Sequence, residues 1–157
     1  MPIIGGGNAT GPGEVICQEA LFTEVSNTGG VYTASVTVPP MSWLLDIRLY
    51  GQVLWTSATS ASIIVGDGVD DNGWYVASDT KATDLLAGEV ITFESAGGRH
   101  GAYLTTAELR STMWSALQRV ITAKITTVTT AASVAGRTRM LVIYTTQANA
   151  VAAVFAP

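Results

Sequence analysis

Acid–base or nucleophilic chemistry in this chain of 157 residues would have to run through very few side chains, because it holds one histidine, His100, and one cysteine, Cys17. His100 lies in Gly97-Gly98-Arg99-His100-Gly101, and no Gly-x-Ser-x-Gly elbow accompanies it to supply the nucleophile of a triad. It reads as a solvated loop residue. Cys17 sits in an alternating stretch with no local charge pattern to stabilise a thiolate, so it reads as a small strand residue. Twelve Asp and Glu residues would allow a carboxylate pair by number, yet no spacing marks one. No catalytic, cofactor-binding or metal-ligating residue is assigned, no cofactor is expected, and the chain is expected not to be an enzyme.

The densest polar cluster is Gly66-Asp67-Gly68-Val69-Asp70-Asp71-Asn72-Gly73. Oxygen ligands at this density suggest calcium. An EF-hand loop begun at Asp67 would, however, place Asn72 where the glycine belongs and Ser78 where the bidentate glutamate belongs. A calcium β-roll needs stacked copies, and the fragment occurs once. The preferred reading is a strand-connecting turn in which Gly supplies positive φ while Asp and Asn cap their own backbone, with calcium as the alternative. Of the four tryptophans, Trp43 and Trp55 share the apolar phase of one strand and are expected in the core. Trp74 follows the polar turn and is the one expected outside, where it would suit a sugar-binding platform.

These groups must be positioned by strands. Short apolar stretches alternate with turn residues at 15–25, 31–38, 43–55, 60–65, 74–77, 89–94, 120–130 and 139–146, about eight strands in all. The clearest, 43–55, sets Trp43, Leu45, Ile47, Leu49, Gly51, Val53 and Trp55 against Asp46, Arg48, Tyr50 and Gln52. In 120–130, Ile121, Ala123 and Ile125 form one face. Both faces of 139–146 are apolar, which predicts a strand central in its sheet or covered by another subunit. The capping box Thr105-Thr106-Ala107-Glu108, followed by Leu109, Met113, Ala116 and Leu117, predicts a short helix near 106–118 with Leu109, Met113 and Leu117 inward. The expectation is one all-β antiparallel sandwich, jelly-roll-like, over 15–147, between a glycine-rich flexible arm at 1–14 and an uncharged tail at 148–157.

Composition removes several function classes. Charged residues make up 13% of the chain while Val, Ile and Thr supply 47 positions, so much of the surface must be Thr, Ser and Ala. A net charge of −4 with two lysines argues against tracking phosphates, so no nucleic-acid partner is expected. No apolar run approaches a membrane span and no secretion signal is visible at the N-terminus, so a soluble protein without a membrane partner is expected. The terminal segments nonetheless carry Ile3, Ile4, Val151, Val154 and Phe155, apolar groups suited to contact a partner.

Several strings in order carry a resemblance: Val36-Thr37-Val38-Pro39; Asp46-Ile47-Arg48-Leu49; Ala61-Ser62-Ile63-Ile64-Val65-Gly66-Asp67-Gly68 with Gly73-Trp74-Tyr75; Ile121-Thr122-Ala123; Gly136-Arg137; and Met140-Leu141-Val142-Ile143-Tyr144. Together they resemble the small β-sandwich capsid decoration, or cement, proteins of tailed bacteriophages. The resemblance covers about 31–146. It implies a jelly-roll or related sandwich that sits on the capsid exterior, is synthesised in the host cytoplasm, forms a dimer or trimer, and bridges neighbouring major capsid subunits. It brings no catalytic or metal residue. The alternatives are another phage structural part, such as a head fibre or tail component, or a carbohydrate-binding sandwich module.

Overall fold

Period-2 alternation of apolar residues builds nine strands among the residues the computed structural model describes, which are 14–25, 29–105, 112–128 and 134–146. The strands are β1 (Val15–Thr23), β2 (Gly30–Val38), β3 (Ser42–Val53), β4 (Ser60–Gly66), β5 (Tyr75–Asp79), β6 (Val90–Ile91), β7 (Trp114–Ser115), β8 (Arg119–Val128) and β9 (Arg137–Thr146). They form two antiparallel sheets. One runs β1-β9-β3-β6, with β7 also pairing β3, and the other runs β2-β8-β4-β5. The first strand therefore lies beside the last, the second beside the next to last, and β4 and β5 close the ribbon as neighbours. That is the winding of a jelly roll. The stretch 139–146 is central, as β9, between β1 and β3.

The core lies between the sheets. One sheet contributes Ala20, Phe22, Leu44, Ile47, Leu49, Met140, Val142 and Tyr144, and the other Val36, Val38, Ala61, Ile63, Val65, Ile121, Ala123 and Ile125. Each large aliphatic side chain buried this way adds roughly 1.5–3 kcal/mol. Buried polar atoms are paired where the sandwich closes: Trp55 Nε1 donates to Thr138 Oγ1 at 2.9 Å, and Tyr75 Oη donates to the Ile47 carbonyl at 2.5 Å. Burial pushes the Tyr75 phenol far above its usual range, so it stays a donor at every physiological pH.

The alternation of 43–55 does not survive intact. Leu44 pairs with Tyr144 while Asp46 pairs with Ile143, so Leu45 is the extra residue of a β-bulge. Ahead of it Leu44 points inward and Trp43 and Leu45 point out; beyond it Ile47, Leu49 and Gly51 are inward as expected. Trp43, expected in the core, is thus 40% exposed, whereas Trp55 is buried as expected. The bulge breaks the phase that an unbroken period-2 reading assumes.

The helix expected near 106–118 is borne out only in part where it can be followed: Thr112 and Met113 are helical, with Met113 packed against the core as expected, but the helix ends there. Positions 106–111 lie outside the described residues. A single turn, α1 (Ala102–Thr105), precedes them, Thr112 and Met113 directly after them are helical, and Trp114–Ser115 is strand, paired with Ser42 and Trp43. Leu117, expected inward, is 76% exposed. From Trp114 on, pairing with the free edge of β3 outweighs the local helical spacing.

Candidate functional site

The polar turn is built from its own backbone. Asp67 Oδ1 accepts from the amides of Val69 and Asp70 at 2.9 and 3.0 Å and from Tyr103 Oη at 3.1 Å, while Asp70 Oδ1 accepts from the Asn72 amide. Asp71 reaches Lys124 Nζ on β8 at 3.4 Å. The carboxylates diverge, and among the described residues no three His, Cys, Asp or Glu side chains come together as a metal cage. The glycines act differently from expectation: none of the turn's lies in the left-handed region. Two of them permit close approach, since a Cβ on Gly66 would sit 1.9 Å from the Asp70 carbonyl oxygen and one on Gly73 would sit 2.3 Å from the Tyr103 ring, whereas Gly68 faces open space.

That packing encloses Trp74. The residue expected outside is fully buried, stacked on Phe93 at 5.5 Å and met edge-on by Tyr103 at 5.0 Å. The polar residues before it in sequence loop over it rather than carry it outward. Arg119 lies 5.9 Å from its ring centroid and donates to the carbonyls of Thr112 and Met113. Burial lowers the Arg119 pKa, an effect opposed by Asp67 and Tyr103, and burial with Asp67 beside it pushes Tyr103 up to about 12. A depression of about 230 Å³ opens here, lined by Asp67, Trp74, Tyr103, Trp114 and Arg119 among others. Trp74 Nε1 has no hydrogen-bond partner.

His100 is not the solvated loop residue expected. It is half-buried, its Nε2 lies 2.7 Å from the Phe93 carbonyl, and its backbone bridges to Tyr75. Cys17 is exposed on the outer side of β1. The structure thus brings neither of them to a second reactive group. Ile3, Ile4, Val151, Val154 and Phe155 lie outside the described residues.

What the described surface offers instead is contrast between its faces. On the β1-β9-β3 sheet, Val15, Leu21, Trp43 and Leu45 are exposed and Leu141 and Ile143 are half-exposed, with Glu19, Arg48 and Arg139 among them. Trp43 is directly opposite Trp114, also exposed. On the other sheet the outward positions are mostly hydroxyls, including Thr33, Ser35, Thr37, Thr122, Thr126, Ser60 and Ser62, and Ser35 and Thr122 hydrogen-bond across strands at 2.9 Å. Sequence reasoning missed the first face because the bulge that turns Trp43 and Leu45 outward leaves no local mark.

Comparisons with known proteins place the fold. No protein-family model matches, and no curated protein matches. Among solved structures, a chain of the capsid of Ralstonia phage GP4 superposes with a TM-score of 0.53 at 14% identity, over 94% of this chain and 92% of that one. A chain from the acidic stable capsid structure of Helicobacter pylori bacteriophage KHP30 gives 0.53 at 18% identity, over 85% and 89%. A chain of the Cyanophage Pam1 capsid asymmetric unit gives 0.50 at 20% identity, over 93% and 94%. At such identities the likeness is one of fold, and it extends over nearly the whole of each chain.

Proposed function

We propose that this chain is a structural protein of a tailed-phage virion, one that decorates the capsid exterior and stabilises it by bridging neighbouring major capsid subunits. The observation that carries the reading is the end-to-end likeness to chains of three phage capsid structures, with the same sandwich and no large unmatched part on either side. The surface supports it: few charges, an apolar outer sheet face, and an edge strand, β2, without a charged residue or proline to guard it. Self-association as a dimer or trimer belongs to the same reading, as does attachment through the segments 1–14 and 148–157 with Ile3, Ile4, Val151, Val154 and Phe155. The N-terminal segment would add to an open sheet edge of a neighbour.

The test is co-sedimentation with undecorated, expanded shells of the source phage. Full-length protein is expected to pellet with the shells and raise their resistance to heat. A variant lacking 1–14 is expected to stay folded and bind far more weakly. Failure of the full-length protein to bind overturns the decoration reading, and full binding by the truncated form removes the arm from it.

The opposed pair Trp43 and Trp114 favours a second reading, an aromatic platform for polysaccharide. Retention on polysaccharide beads that is lost on replacing both by Ala would establish it in place of the first.

A further inference from the structure

The outer face of the β1-β9-β3 sheet has a pattern that complements itself. Register sets four rows across it, each centred on β9: Val15–Thr145–Trp43, Cys17–Ile143–Asp46, Glu19–Leu141–Arg48 and Leu21–Arg139–Tyr50. In each row the β1 and β3 members are unlike. Glu19 is acidic where Arg48 is basic. Leu21 stands out, 54% exposed, whereas beside Tyr50 the surface sinks into an open depression of about 570 Å³ lined by Tyr50, Gly51, Gln52, Gly88, Arg139 and Leu141. Val15, small and exposed, is matched by the broad indole of Trp43.

We infer that this face is the contact between two copies of the chain, related by a two-fold axis lying along β9. Such an axis keeps every row on its own level and exchanges its ends, as an isologous interface requires. Glu19 of one copy then meets Arg48 of the other, twice. Leu21 enters the other copy's depression, Val15 lies on the other copy's Trp43, and Leu141 meets its own equivalent on the axis. Two sheets packed face to face cross at about 30°, so the fit is best at the two middle rows, one of which carries Glu19 and Arg48. The occupant follows from this exchange of acid for base and knob for hollow, which a partner of unrelated surface would have no reason to match.

Size sets the strength. Three strands about 4.8 Å apart and nine residues long at about 3.3 Å each cover roughly 14 × 30 Å, below the roughly 800 Å² per partner of a standard interface. The dimer is therefore weak in solution and concentration-dependent. Such pairing deepens the self-association proposed above, and because it is measured without shells the two readings fail separately.

The experiment is sedimentation velocity over about 1 µM to 1 mM protein with the full chain, Glu19→Arg, Arg48→Glu, their equimolar mixture, and the double variant. Wild type is expected to pass from monomer to dimer. Each single variant brings like charges together at both ends of the Glu19–Leu141–Arg48 row and should weaken the dimer at least about tenfold. The mixture restores complementarity at both contacts and should dimerise like wild type, and so should the double variant. Wild type that stays monomeric throughout, single variants that dimerise normally, or a mixture that fails to recover would each overturn the inference. So would loss of the dimer on deleting 148–157, which would give the face to that segment. Glu19 is exposed and Arg48 half-exposed, and each also has an ion-pair partner in its own chain, Arg139 at 3.5 Å and Asp46 at 2.8 Å. Recovery in the mixture, whose members carry the same substitutions as the single variants, therefore establishes that the loss is one of contact.

Discussion

Two acidic regions stand at opposite ends of the sandwich and use their charge in opposite ways. The turn at 66–73 is crowded with carboxylates, and most of their hydrogen bonds go to amides two or three residues away. Glu24, a single acid just past β1, is buried, and its Oε2 accepts from the Thr56 amide and hydroxyl and from the amides of Ala135 and Gly136. Those donors lie 32, 111 and 112 positions away. One carboxylate thus ties the segment leaving β1 to those after β3 and before β9. The dense cluster shapes one turn, and the isolated residue holds an end of the fold together. Density of a residue type measures local order; separation of its partners measures tertiary consequence.

The sharpest way to break this comparison is to truncate Glu24. Glu24→Ala leaves buried amides without an acceptor and is expected to lower stability by about 3 kcal/mol, read as the shift in urea unfolding. Glu24→Gln keeps an acceptor and should lose about half as much. A change as small as that of an exposed glutamate would sink the bridging role.

Acid should act in the same direction. Burial alone would raise the Glu24 pKa, but the hydrogen bonds from Thr56, Gly136 and Ala135 together hold it below its usual 4.5. Asp84 is lowered too, first by the hydrogen bond from Arg99 and then by the Asp79 amide. A depressed carboxylate contributes stability that is present above its unfolded pKa and disappears as pH falls through the folded one. Unfolding midpoints measured from about pH 6 down to pH 3 should therefore fall, and the fall should be shallower in Glu24→Gln than in wild type. Equal slopes would mean that Glu24 is not the carboxylate responsible.

The turn should answer more weakly. Asp67→Ala removes a local cap and the acceptor of Tyr103 Oη, and about 1 kcal/mol is the expected loss. Smallest of all is the response to chelator: EDTA should leave the unfolding temperature unchanged. A rise on adding calcium would give the turn a ligand, since binding to the native state alone stabilises it.

Much of the architecture was legible because it is written locally. Seven of the eight stretches hold strands of five or more residues and 89–94 holds only the two-residue Val90–Ile91, the inner face at Ile121, Ala123 and Ile125 is where period 2 puts it, and the doubly apolar 139–146 is central. What escaped depends on distance. Trp74 looked exposed because its sequence neighbours are polar, although Phe93 and Tyr103 arrive from elsewhere to cover it. The two-residue β7 is too short to alternate, and Glu24 has no companion nearby in sequence. The reading of His100 as a solvated loop residue missed its carbonyl partner because that partner, Phe93, offers only backbone.

The bulge at Leu45 has a consequence for which lengths of this chain are permitted. Leu44 and Ile47 both face the core, three residues apart, so removing Leu45 would restore simple alternation without moving any interior residue to the wrong side. A deletion inside a central β-ladder ordinarily inverts everything on one flank. Here it would be silent to the interior and would erase one outward leucine together with the local bend it imposes. The fold does not require that residue, so any selection that retains it must act through the outer surface. A related chain without the bulge, aligned without a gap at this point, would have the residues on one side of it set out of phase.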